Sequence, residues 1–180
     1  INHYADSILP PSIGKMKQLQ YLKIRTEKLT MLPPEIEGMV SLEELEIDAL
    51  GLPKALKIPK EIGKMDKLKR LDLGGCSIDT LPQEIGDLNS LEKLNLWGNN
   101  LSCLPATIGQ LSNLKSLALA SNRFDSIPKE IFNLTLLEEL YLSGNRLTCL
   151  DGALNQLSNL KGLYLGDNIG IMLLPENINE

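Results

Sequence analysis

Leu81 to Cys103 reads LPQEIGDLNSLEKLNLWGNNLSC, and the next stretch, Leu104 to Ser126, reads LPATIGQLSNLKSLALASNRFDS. The two superpose residue for residue at a period of 23. Self-similarity at a fixed period of this size is the mark of stacked structural units, and it is tested before any other reading of a chain. Counting outward, an LxxLxL segment recurs as Leu19-Leu22-Ile24, Leu42-Leu45-Ile47, Leu68-Leu71-Leu73, Leu91-Leu94-Leu96, Leu114-Leu117-Leu119, Leu137-Leu140-Leu142 and Leu160-Leu163-Leu165. The first leucines lie 23, 26, 23, 23, 23 and 23 residues apart. An apolar-Pro step closes each unit at Leu9-Pro10, Leu32-Pro33, Ile58-Pro59, Leu81-Pro82, Leu104-Pro105, Ile127-Pro128 and Leu174-Pro175, with Leu150-Asp151 as the one lapse. Asparagine follows the segment at Asn99, Asn122, Asn145 and Asn168.

Within a unit, x-L-x-L alternates polar and apolar, the pattern of a strand with one buried face. Strands are predicted near 20–24, 43–47, 69–73, 92–96, 115–119, 138–142 and 161–165. The LPxxIgxL part that follows spaces apolar residues three or four apart, as in Leu81, Ile85, Leu88 and Leu91. That spacing suits a short helical or 3₁₀ turn with proline at its start, where a missing N–H is harmless. One unit cannot bury its own leucines; stacked units share a continuous core and line their strands into a parallel sheet. The repeat asparagine is expected to turn inward and satisfy backbone groups of the turn.

These motifs resemble the leucine-rich repeat family, in its LxxLxLxxNxLxxLPxxIgxLxx form, known from small bacterial proteins, plant intracellular proteins and animal Ras-pathway scaffolds. The resemblance covers nearly the whole chain. It implies an α/β solenoid: a right-handed horseshoe with a parallel β-sheet on the concave face and short helical or 3₁₀ turns on the convex face. It implies little about function, because the motif is structural.

The 180 residues and the regular period suggest one domain of about seven repeats over 1–180. Net charge is −5, from 18 basic and 23 acidic residues, and no Lys/Arg run occurs, so nucleic acid is not the expected partner. No apolar run approaches the roughly 18 residues of a membrane span. Ile1 falls on the last core position of a strand whose earlier part is missing, and Glu180 follows just after Leu174-Pro175 opens another unit. The expectation is a natural chain that continues on at least one side.

Cys76 occupies the asparagine position of its unit, and Cys103 and Cys149 occupy equivalent positions two units apart. Strand spacing puts that pair roughly 9–10 Å apart, beyond the ~7 Å reach of a disulfide. All three are read as free thiols in or near the core, a pattern that leans toward a reducing compartment without deciding it. Asn100-Leu101-Ser102 and Asn133-Leu134-Thr135 match the glycosylation pattern, as chance allows in an asparagine-rich chain.

The pattern breaks in four places. The second unit carries three extra residues within 50–57, expected to bulge at the rim after its strand; contact site and tolerated insertion are both open there. Glu27 and Leu50 stand where asparagine belongs, so those turns need another way to satisfy their backbone. Asp151 replaces proline, and one extra residue falls near Gly170; both read as drift.

Non-leucine strand positions face outward and align into columns. One column, Gln20, Glu43, Lys69, Glu92, Lys115, Glu138, Lys161, alternates in sign from Glu43 onward and suggests a ladder of cross-strand pairs ~4.8 Å apart. The next columns change character along the chain. Glu44, Glu46, Asp48 and Asp72 make an acidic stretch; Trp97, Ala118, Ala120, Tyr141 and Tyr164 make an aromatic one. Tyr21 projects at the N-terminal end, Phe124 falls on a core position and Phe132 on the outer turn. Small residues Ser116, Ala118 and Ala120 between Trp97 and Tyr141 suggest a shallow trough, or else a bed on which Trp97 lies flat.

No catalytic constellation or metal cluster emerges. The only histidine is His3, the glycines at Gly63, Gly86 and Gly109 belong to the repeat, and paired acids such as Glu43-Glu44 and Glu138-Glu139 face solvent. No cofactor is expected. The leading reading is a monomeric protein-binding module. Trp97, Tyr141, Tyr164, Asn95, Ala118 and Ala120 form its contact surface. Asp72, Glu46, Asp48, Arg70 and Lys93 set the orientation of a partner that offers a basic patch. Two other readings stand beside it: a glycan or small-ligand module on the same aromatics, and the targeting segment of a larger enzyme or signalling protein.

Overall fold

A computed structural model describes residues 8–49 and 54–168. Seven strands form one sheet in chain order: β1 Tyr21–Arg25, β2 Glu44–Asp48, β3 Arg70–Asp72, β4 Lys93–Asn95, β5 Ser116–Ala118, β6 Glu139–Tyr141 and β7 Gly162–Tyr164. All pairings are parallel. Each strand starts one residue later than the alternation predicts, and the last five are only three residues long. Among the described residues there are seven five-residue 3₁₀ turns, one ahead of β1 and six between successive strands: η1 Pro11–Lys15, η2 Pro34–Gly38, η3 Lys60–Lys64, η4 Gln83–Asp87, η5 Ala106–Gln110, η6 Lys129–Asn133 and η7 Gly152–Gln156. The result is the leucine-rich repeat solenoid, with its sheet on one side and its 3₁₀ turns on the other.

Register follows the repeat. Leu22, Leu45, Leu71, Leu94, Leu117, Leu140 and Leu163 align strand to strand. The three extra residues of the second unit leave this register intact, since Leu45 still faces Leu71. Leu50, and the segment 50–53 that begins the insertion, lie outside the described residues, as do His3, the terminal positions Ile1 and Glu180, Leu174-Pro175 and the extra residue near Gly170. By Leu56 the chain is back in the core, 2% exposed, with its N–H donating to the Cys76 carbonyl at 3.1 Å.

The leucines, isoleucines and Phe124 make one continuous core. Proline enters each of the first six turns at the N-cap, in extended conformation at the first five; its fixed φ suits the entry. The seventh turn shows that Asp151 is more than drift: its carboxylate accepts from the Ala153 N–H at 2.8 Å and caps the turn.

Asparagine side chains bind the coils together. Asn122 donates to the carbonyls of Leu119 (3.0 Å) in its own unit and Leu96 (2.9 Å) in the preceding one, and accepts from the Leu101 N–H at 3.0 Å. Asn99, Asn145 and Asn168 repeat the arrangement. Among the described residues no buried side-chain polar atom lacks a partner.

Where asparagine is missing, two substitutes appear. Thr26, adjacent to Glu27, is buried, and its hydroxyl accepts from the N–H groups of Lys28 and Leu29 at 3.2 and 3.1 Å. Cys76 holds its sulfur 3.6 Å from the carbonyls of Ile47 and Gly74, and burial pushes its thiol up to about 12, so it stays a protonated donor. Cys103 and Cys149 correct the expectation of core thiols: both are free but exposed. Each precedes a buried leucine, Leu104 or Leu150, and the alternation that buries the leucine turns the cysteine outward.

Glycine in the 3₁₀ turns permits close stacking. A Cβ on Gly86 would come within 2.3 Å of the Thr107 carbonyl oxygen of the next turn. In the sixth turn the equivalent residue is Phe132, which is buried.

Candidate functional site

The face opposite the turns is built from alternate strand residues, exposed or half-buried while their neighbours are core. Its N-terminal part is charged and largely self-compensating. Lys23 pairs with Glu46 at 2.6 Å, and Tyr21 donates to the same carboxylate at 3.1 Å. The lysine hydrogen bond holds the Glu46 carboxyl below the usual range and the Lys23 ammonium above it; partial burial and Glu46 raise the Tyr21 phenol. Arg25 pairs with Asp48 at 3.0 Å. Glu46 and Asp48 are therefore answered by the unit before them, one strand over.

The alternating column resolves into discrete pairs rather than an unbroken ladder. Glu43–Lys69 (2.8 Å), Glu92–Lys115 (2.9 Å) and Glu138–Lys161 (2.8 Å) bridge β2–β3, β4–β5 and β6–β7. Hydrogen bonds from their lysines hold Glu92 and Glu138 below the ordinary carboxylate range.

In the middle of the face Asp72 and Asn95 act on the backbone. Asp72 Oδ1 accepts from the Gly74 N–H at 3.2 Å and from Asn95 Nδ2 at 2.9 Å. Asn95 Oδ1 accepts from the Trp97 N–H at 3.0 Å. Such a side-chain-to-backbone bond two residues on fixes the chain where the strand ends, so Asn95 helps set the course of the backbone at Trp97. Trp97 itself is 46% exposed, outside the core. Its carbonyl accepts from Gly75, and Gly98 donates to Ala120, which keeps the Trp97 position in line with Gly74 and Ala120 past the formal strand ends. Ala118 and Ala120 stay half-buried.

Tyr141 and Tyr164, opposite each other in the register, stack with ring centroids 4.3 Å apart and planes 3° from parallel. A Cβ on Gly162 would meet the Tyr164 ring at 3.0 Å, so Tyr164 lies back over a position kept clear by glycine. Lost solvation, then the charge of Glu139, raises the Tyr141 phenol. Glu139 also accepts from the Ser116 hydroxyl at 3.2 Å.

Five of the residues singled out in the sequence come together here. Arg70, Asp72, Lys93, Asn95 and Ala118, with Ser116, line an open depression of about 250 Å³ over β3–β5. Trp97, Ala120, Tyr141 and Tyr164 are not part of its lining, and Glu46 and Asp48 lie on β2 in their ion pairs. Ser116, which also lines the depression, was not among the contact residues singled out; the signal was its place in the same column as Arg70 and Lys93. The glycosylation match at Asn100 is engaged: its amide donates to the Ser77 carbonyl at 3.2 Å and accepts from Arg123 at 2.7 Å.

A leucine-rich repeat region family model matches residues 58–171, more than half of the chain. No curated protein sequence matches it. Among solved structures, a leucine-rich repeat protein of Leptospira interrogans is 32% identical, with a TM-score of 0.70 over 94% of this chain and 54% of that one. The ectodomain of the Arabidopsis thaliana membrane receptor kinase GASSHO1/SCHENGEN3, solved in complex with CASPARIAN STRIP INTEGRITY FACTOR 2, is 26% identical, with a TM-score of 0.65 over 89% of this chain and 25% of that one. An internalin of Listeria monocytogenes, 22% identical with a TM-score of 0.71 over 91% of this chain and 46% of that one, shares the fold. The chain thus spans at most about half the length of these structures. Among the described residues no helix is long and apolar enough to cross a membrane. Period, core, asparagine bonding and family match agree: the chain belongs to the leucine-rich repeat proteins.

Proposed function

We propose that this chain is a non-catalytic protein-interaction module that holds its partner on the concave sheet, with Trp97 and the Tyr141–Tyr164 stack as anchors. The observation that carries the reading is the exposure of Trp97 and Tyr164, each 46%, on a regular sheet where only Ser116, Ala118 and Ala120 face out between Trp97 and Tyr141. Large aromatics bury much area on contact and lose little freedom, and a sheet fixed before binding adds little ordering cost. The receptor ectodomain bound to its factor is a related fold engaging another molecule.

The chemistry of the face supports a non-enzymatic role. Glu46, Glu92 and Glu138 are held low by their lysines rather than raised as a catalytic acid requires, and the buried Cys76 thiol is protonated. A basic patch on the partner opposite Glu46, Asp48 and Asp72 would compete with Lys23, Arg25 and Arg70, so we place that contact second to the aromatics. The glycan reading ranks lower as well. About 250 Å³ in an open depression is less than the roughly 300–1,000 Å³ of small-molecule sites.

Trp97 is the only tryptophan, so its emission reports on this face directly. Peptides selected from a random display library against the whole chain, taken to be a monomer by light scattering, should shift that emission to the blue. They should also protect it from acrylamide. Trp97→Ala combined with Tyr164→Ala should abolish binding at an unchanged melting temperature. Selected binders that leave the emission untouched and bind the double variant normally would remove the concave face from the reading.

A further inference from the structure

Five of the seven ion pairs among the described residues join an inner-face cation to an acid one strand away: Lys23, Arg25, Lys69, Lys115 and Lys161 are all spent in this way. Arg70 and Lys93 are different. Lys93 has no ion pair among the described residues, and Arg70 makes only a 3.5 Å contact to Asp72 within its own strand, while 48% of its side chain stays exposed. The other oxygen of Asp72 is occupied by Gly74 and Asn95. Glu44 stands opposite Arg70 on β2, yet no ion pair joins them. The two underused cations face each other in the register and together border the depression, whose remaining polar lining is Asp72, Asn95 and Ser116, so two cations stand against one carboxylate there.

Resting on the concave-face reading, we infer that this depression anchors an acidic side chain of the protein partner, its carboxylate set between Arg70 and Lys93. A guanidinium offers five donors and an ammonium three. With one contact engaged on Arg70 and none on Lys93, both can turn donors to a shared carboxylate, which gives short charge-assisted hydrogen bonds. Glu44 and Asp72 nearby make the site fit a single negative charge better than a doubly charged phosphate. The anchor lies one strand before Ala118, so the same segment can run on over Ala118 and Ala120 toward Tyr141.

The test uses random twelve-residue peptides, amidated at the C-terminus so that only side chains supply carboxylates, displayed and panned against the whole chain. Enriched sequences should carry Asp or Glu at one recurring place, and changing that residue to Asn or Gln should weaken binding about tenfold. Arg70→Gln with Lys93→Gln, melting as the parent does, should weaken the acidic peptide about tenfold and leave the neutral version alone. If binders lose affinity on Trp97→Ala but not on Arg70→Gln/Lys93→Gln, the carboxylate anchor fails and the concave-face reading stands. If neither substitution matters, both fail. A library that yields no binder, or binders without an acid, also overturns the anchor. A phosphoserine in place of the acid that binds more tightly overturns the choice of carboxylate.

Discussion

The first three units and the later ones solve the same packing problem with different residues. In the early units the turn is satisfied by Thr26 and Cys76, and Lys23–Glu46 and Arg25–Asp48 close charge pairs on the face. From Asn99 onward each turn is tied by an asparagine amide, and the face carries Trp97, alanines and two stacked tyrosines. The register passes from one region to the other unbroken. Frame and face are therefore separable: inward residues hold the stack, so outward residues are free to differ. The first two strands have spent the cations Lys23 and Arg25 on the acids Glu46 and Asp48, and the later face keeps aromatic surface in reserve.

The sharpest way to break this contrast is through the turns. Asn122→Ala leaves the Leu96 and Leu119 carbonyls and the Leu101 N–H without a side-chain partner, and should cost about 3 kcal/mol in a urea titration. Cys76→Ala should cost only about 1 kcal/mol, since two long sulfur contacts and a small volume are lost. Equal costs would erase the difference between the regions. Next, Gly86→Ala should cost about 2 kcal/mol, because its Cβ meets the Thr107 backbone oxygen at 2.3 Å and the coils cannot separate locally. Trp97→Ala should reduce partner affinity by about 2 kcal/mol with no loss of melting temperature. Arg25→Ala, at the charged end of the same face, should leave affinity within error.

The smallest effect concerns acid. Glu46 has its folded pKa lowered by Lys23, so its contribution is present above the unfolded carboxyl value near 4.3 and fades as pH falls through the folded value. Melting curves of the parent and Lys23→Met should differ slightly at pH 7 in low salt and converge as the pH falls below the ordinary carboxylate range. A gap that widens on acidification would reverse the assignment.

What could be read from the sequence was whatever repeats. Leucine spacing, the proline step and the inward asparagine each recur with one role, so seven copies average out local irregularity. The ion pairs were also legible, because Lys23 and Glu46, or Arg25 and Asp48, sit 23 residues apart and so in one row. Reading those acids as a surface awaiting a basic partner overlooked the preceding unit. The Tyr141–Tyr164 stack and the depression beside Arg70 depend on where single side chains lean, which a column of letters does not carry. Thr26 escaped notice because it fills the asparagine's role from the neighbouring position.

Each asparagine ties only its own coil and adjoining ones, and every strand pairs only with its immediate neighbours. The inner surface is in that sense a ruler with graduations of ~4.8 Å. Deleting one whole coil, such as 104–126, would bring the Arg70–Lys93 mark and the tyrosine mark one graduation closer, with Glu139 and Tyr141 taking the places that Ser116 and Ala118 hold beside the depression. Selection could lengthen or shorten what this hollow measures by copying or losing a unit, long before it needed to invent a new side chain.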